Sequence, residues 1–199
     1  MFIKILYSIA LLYLFIYNVL ENETYSFYNR GDIKAQIDFV IYKNSGKINI
    51  AKSHERISTR DRFQIIIRSY TDTKLLLVNY SASECKILQS SFINSGKDYY
   101  FPAKDEFYFF DGKNNREVIF ILLFKDLLKE LDLVTNPAVD CNIKYKRLNL
   151  YYSENLTINS KPVPPIIHFS GNIRETELSE EIFGDNLILK KYSFDVQSE

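Results

Sequence analysis

Hydrophobic and polar positions alternate along much of this chain. Over residues 36–42, Ile37, Phe39 and Ile41 fall on one side and Gln36, Asp38 and Val40 on the other. That is the period of a half-buried strand. Asn44-Ser45-Gly46 follows, and Asn and Gly accept a positive φ at little cost, so residues 47–51 are predicted to return as a hairpin partner. Further strands are predicted over residues 63–70, 74–80, 86–89, 99–101, 106–110, 117–124 and 187–196. Residues 75–78 and 117–124 are nearly all apolar, as central strands are. The period changes at residues 125–133, where Leu127, Leu128 and Leu131 lie at helical spacing opposite Lys125, Asp126, Lys129 and Glu130. Residues 141–152 read ambiguously, with an alternation at Ile143, Tyr145, Leu148 and Leu150 that slips register once. The expected fold is mainly β, a β-sandwich or barrel-like domain with one short accessory helix. Ile65, Ile67, Leu76, Val78, Ile119 and Ile121 are expected to share one core.

The first twenty residues follow neither period. Between Met1 and Leu20 only Lys4, Ser8 and Asn18 interrupt the apolar run, and Glu21 and Glu23 follow it. A cation, an apolar stretch and an acidic exit make residues 1–26 an expected signal peptide or N-terminal membrane anchor. Residues 5–20 are short for a spanning helix, which needs about 20 apolar residues. The cleavage signal is weak, so cleavage and anchoring both stay open. A buried core helix usually shows polar positions at a 3.6 period, and this leader helix has almost none. The remainder, residues 27–199, is expected to form a single β-rich domain.

The whole chain carries 25 basic and 25 acidic residues. A balanced charge argues against nucleic acid as a partner. Two His leave little material for a metal site, and no P-loop, G-x-G-x-x-G or G-x-S-x-G occurs. No cofactor, metal or catalytic residue is assigned. Three sequons begin at Asn22, Asn79 and Asn155.

One succession of residues carries a resemblance. Ser58-Thr59-Arg60-Asp61-Arg62-Phe63-Gln64-Ile65 leads into a strand, and Leu75 to Asn79 supplies a second. Tyr99-Tyr100-Phe101-Pro102 follows, then the aromatic residues 107–110, Gly112, Glu117 and the apolar run to Phe124. This order resembles the bacterial domain of unknown function, family 4384, over residues 55–133. The chain departs from that pattern with Arg60 at a position that is usually Gly. The resemblance implies a compact β-rich module of bacterial envelope proteins and no catalytic residues.

Candidate chemistry is sparse. Cys85 and Cys141 are the two cysteines; in an exported protein they can form one disulfide, the alternative being two idle thiols. A Cys–His pair with His54 or His168 fits no signature. Asp105, Glu106, Asp111 and Glu117 flank two turns, where a solvated role is the simplest reading. Glu175, Glu177, Glu180 and Glu181 form a charged stretch. The densest aromatic cluster is Tyr99, Tyr100, Phe101 and residues 107–110. Half of it is expected in the core. Tyr100 and Tyr108, joined by Arg60 and Arg62, are the candidate binding residues. The expected function is a non-enzymatic exported module that contacts a protein or ligand of the cell envelope or periplasm. An envelope hydrolase with an unrecognised site and a membrane-anchored structural component are the alternatives.

Overall fold

In the computed structural model the described residues are 33–51, 54–81, 84–110, 112, 115–125, 129–154, 161–162 and 180–197. The expected leader and residues 126–128, 168 and 175–177 lie outside them.

Strand β1 (Ile33–Tyr42) keeps strict alternation, with Ile33, Ala35, Ile37, Phe39 and Ile41 buried. Gly46 takes a φ of 84°, and the turn is closed by the Gly46 N–H donating to the Lys43 carbonyl at 2.9 Å. The return strand is β2 (Ile48–Ile50). After β3 (Glu55–Ser58), β4 (Arg62–Ser69) lies antiparallel to β1, with Phe39 opposite Ile65. The hairpin β5 (Thr73–Ser81) and β6 (Glu84–Ile93) carries one register shift between Leu77 and Val78. Then come β7 (Asp98–Phe101), β8 (Tyr108–Phe109) and β9 (Arg116–Phe124). Helices α1 (Lys129–Thr135) and α2 (Cys141–Glu154) precede β10 (Lys161–Pro162), β11 (Glu180–Gly184) and β12 (Leu187–Gln197). The fold is mainly β.

The strands form two sheets. The first runs β10-β11-β1-β4-β7, with β2 also on β1 and β8 also on β4. The second runs β3-β12-β9-β5-β6. Between them lies a core fed by both: Phe39, Phe63, Ile65 and Ile67 from the first, Leu75, Leu77, Ile119, Ile121 and Phe194 from the second.

The expectation of one shared core is corrected. Ile65, Ile67, Ile119 and Ile121 do meet between the sheets. Leu76 and Val78 point the other way, into a second cluster with Phe120, Leu122 and Leu189. Helices α1 and α2 close it with Leu131, Val134 and Leu148. Successive side chains on a strand face opposite ways, so a strand covered on both sides is apolar at every position. Hence 75–78 and 117–124 lose their alternation.

The helix count is corrected too. The predicted helix is observed over Lys129–Thr135. The ambiguous segment is a second helix of 14 residues. Its weak amphipathicity hid it, because Ile143 and Leu150 are exposed while Leu148 and Lys144 are buried. A start signal was present nonetheless: Asp140 Oδ1 accepts the Asn142 N–H at 2.9 Å as an N-cap. Tertiary contacts then hold α2 to the second sheet. The Tyr145 ring stacks on Tyr80 at 4.0 Å, and the Lys191 ammonium donates to Asn149 Oδ1 at 2.6 Å. Cys141, the first residue of α2, is disulfide-bonded to Cys85 on β6, with Cα atoms 5.4 Å apart.

Candidate functional site

The outer face of the first sheet carries the positions of β1 and β4 that do not enter the inter-sheet core. Register places two of them, Tyr42 and Arg62, in one transverse row with a residue of β2 and one of β8. Tyr42 pairs with Ile48 on β2 and with Arg62 on β4, and Arg62 pairs with Phe109 on β8. Ile48 is 51% exposed and Phe109 66% exposed at the two ends. Neighbouring strands are about 4.8 Å apart, so the row spans about 14 Å.

Arg62 is held from the side by aromatic faces. Its guanidinium carbon lies 4.1 Å from the Phe107 ring centroid and 5.8 Å from that of Tyr42. The two rings meet edge to face at 4.7 Å. Phe107 reaches this place because the β7–β8 loop folds over the sheet. Gln64, 2% exposed, anchors that loop: its Nε2 lies 3.0, 3.0 and 3.2 Å from the carbonyls of Ala103, Lys104 and Glu106. A buried amide must find partners, and here it finds them in loop backbone. Burial pushes the Tyr42 phenol above its ordinary value, with Arg62 pulling it back and Tyr100 adding to the rise.

The sequence-predicted residues separate here. Arg62 stands in the row. Tyr100, opposite Ile66 on β4, shares the outward parity. Arg60 lies in the turn before β4, outside the row, with its N–H on Ser58 Oγ at 3.2 Å. Tyr108, expected on the exposed face, is corrected: it is opposite Phe63 and packs on the inter-sheet core, its ring 5.2 Å from that of Phe63. Burial, and after it Glu106, raise its phenol pKa. Strand parity explains the exchange, since turning Tyr108 inward turns Phe109 out. Sequence reasoning missed Tyr42 and Ile48 as site residues. The hairpin was legible, but their alignment with Arg62 needed the β1–β4 register.

Asp61, between the two arginines, has a structural task. Asp61 is 4% exposed, and its carboxylate accepts the N–H groups of Ser58 and Asn44, each at 2.9 Å, and the Lys43 ammonium at 3.2 Å. It joins the β1–β2 turn to the β3–β4 turn below the row. Burial pushes its pKa up, but the hydrogen bonds from Ser58, Asn44 and Lys43 outweigh burial, and the net direction is down. Because the folded pKa is lowered, the stabilisation is present above the unfolded carboxylate value of about 3.9 and is lost as pH falls through the folded value. Asp61→Asn is therefore expected to cost about 2 kcal/mol near pH 7. The deficit should shrink in urea titrations run from pH 5 down to pH 2. A deficit constant over that range would contradict this role.

The other candidate chemistry disperses. Both cysteines are bonded, so neither is a thiolate nucleophile. Glu117, expected in a solvated turn, is corrected to a buried position, 1% exposed, with the Asn79 amide donating to Oε2 at 3.1 Å. Asp105 and Glu106 are exposed in the loop over the first sheet. No group of three or more His, Cys, Asp or Glu able to hold a metal ion occurs among the described residues. A groove of about 310 Å³ opens between β6 and α1, with Leu76, Phe124 and Leu131 among its walls and Phe92 at its rim. Leu76, Phe124 and Leu131 belong to the helix-side core.

No protein-family model, curated protein or solved structure matches this chain.

Proposed function

We propose that this chain is a non-catalytic, exported β-sandwich module that binds a protein or ligand of the bacterial cell envelope through the outer face of its first sheet. The observation that carries the reading is the row Ile48–Tyr42–Arg62–Phe109, an exposed apolar surface around a cation already fixed by aromatic rings. Interfaces favour such aromatic and Arg anchors, whose order is established before binding. Two further features support export. The apolar leader reads as an export signal, and disulfides persist mainly in oxidising compartments. The resemblance to the family 4384 domain supports the envelope.

The test uses the full chain in intact cells. Wild type and the double variant Ile48→Ser/Phe109→Ser are cross-linked in place and captured. Both substitutions are at exposed positions, so stability should stay within about 0.5 kcal/mol of wild type. The wild type is expected in the envelope fraction with a cross-linked partner that the variant loses. An identical set of cross-links in both sinks the binding face. Recovery in the cytoplasm with reduced cysteines sinks export.

A further inference from the structure

We propose, building on the binding face described above, that its occupant is an amphipathic helix of a partner protein whose acidic side chain seats on Arg62 between two apolar anchors. Three observations lead there. First, Arg62 contacts ring faces but makes no hydrogen bond or ion pair among the described residues. A guanidinium stacked on a ring keeps its N–H edge available, and that fork matches a carboxylate. Second, the described acids near it are engaged elsewhere or make no ion pair with it. Asp61 is held by Ser58, Asn44 and Lys43. Asp98 forms a two-pronged pair with Arg68 at 2.6 Å, and exposed Asp105 and Glu106 make no ion pair with Arg62. Among the described residues the row thus offers a positive charge without an ion-pair partner, complementary to an acidic partner.

Third, the spacing selects a helix. Ile48 is two strand steps from Arg62, about 10 Å, and Phe109 one step, about 5 Å. A helix rises about 1.5 Å per residue. Laid along the row, it would meet Ile48 with an apolar residue seven positions before the acid and Phe109 with one three positions after it. All three lie on one helical face. An anionic membrane is the poorer fit, since lipid surfaces are held by clusters of about 4–8 cations.

The probe is an alanine-rich helical peptide of about 20 residues. It carries leucine, then glutamate seven residues later, then leucine three residues further. Companion peptides replace the glutamate with glutamine or lysine. Binding to the full chain is read by fluorescence anisotropy. The glutamate peptide is expected to bind about tenfold more tightly than the glutamine peptide. Arg62→Ala should erase that preference, Arg62→Lys should weaken it, and Arg62→Glu should transfer it to the lysine peptide. Phe109→Ser should weaken all three peptides alike. Equal binding of the three peptides, a preference that survives Arg62→Ala, or no binding at all overturns the proposal. So does Arg62-dependent binding to phosphatidylglycerol vesicles without discrimination among the peptides. If the serine double variant still loses its cross-linked partner in cells while the peptide preference is absent, the face stands and the acidic helix falls. If the cross-links are unchanged, the face itself falls.

Discussion

Phe39→Ala is expected to destabilise the protein by about 3–5 kcal/mol. Phe39 is fully buried on β1. Its ring centroid lies 4.9 Å from Phe63, 4.8 Å from Tyr192 and 5.0 Å from Phe194. Phe63 belongs to the first sheet, and Tyr192 and Phe194 to the second, so this ring is where the two layers touch. Truncation removes the transfer free energy of the ring and leaves a cavity. The cavity cannot collapse cheaply, because its walls are side chains fixed on two hydrogen-bonded sheets. Lost ring–ring contacts add to the cost. Urea unfolding should show a lower midpoint at an unchanged slope, with a melting temperature lower by roughly 10 °C. A loss below about 1 kcal/mol would contradict the packing described.

Cys85→Ala/Cys141→Ala is expected to cost about 4 kcal/mol through a different route. The bond closes a sequence separation of 56 residues between β6 and the start of α2. Its main effect in the chain-entropy picture is on the unfolded chain, which loses conformations when a long loop is closed. The bond also ties α2 to the edge strand of the second sheet. The helix keeps further attachments through Leu148, the Tyr80–Tyr145 stack and the Lys191–Asn149 hydrogen bond. The variant should therefore retain its fold while unfolding at lower urea. Reductant should lower the wild-type midpoint toward that of the variant and leave the variant unchanged. Coincident midpoints with and without reductant would show that the bond contributes nothing.

The two substitutions probe the two layers of the fold, and those layers differ in how far the sequence announces them. The first sheet is written in alternation. Ile37, Phe39 and Ile41 on β1 and Phe63, Ile65 and Ile67 on β4 show their buried side directly, because among the described residues no helix packs on their other side to hide it. The second sheet is written as apolar runs, and a run does not say which residue enters which core. Leu75 and Leu77 enter one while Leu76 and Val78 enter the other. That partition exists only once helices cover the outer face. Helix α2 is the least legible element, since Tyr145 and Leu148 gain their meaning from Tyr80, Phe120 and Leu189 across the layer boundary.

The candidate site divides the same way. Arg62 and the aromatic stretch around Phe107 and Phe109 stand out in the chain as a charge and a cluster. Which member of the cluster faces outward depends on register, and Tyr108 shows it: one step of pairing against Phe63 turns it into the core and puts Phe109 outside. A one-residue shift reverses every side chain of a strand.

By itself the sequence determined the strand-rich class, most strand positions and the inward side of the half-buried strands, because a period of two is a local property of the backbone. Tertiary structure alone decided the two cores, the second helix and the alignment of Ile48, Tyr42, Arg62 and Phe109. Each of these depends on partners brought together from distant parts of the chain, where hydrogen-bond register and packing between layers set positions that local pattern leaves free.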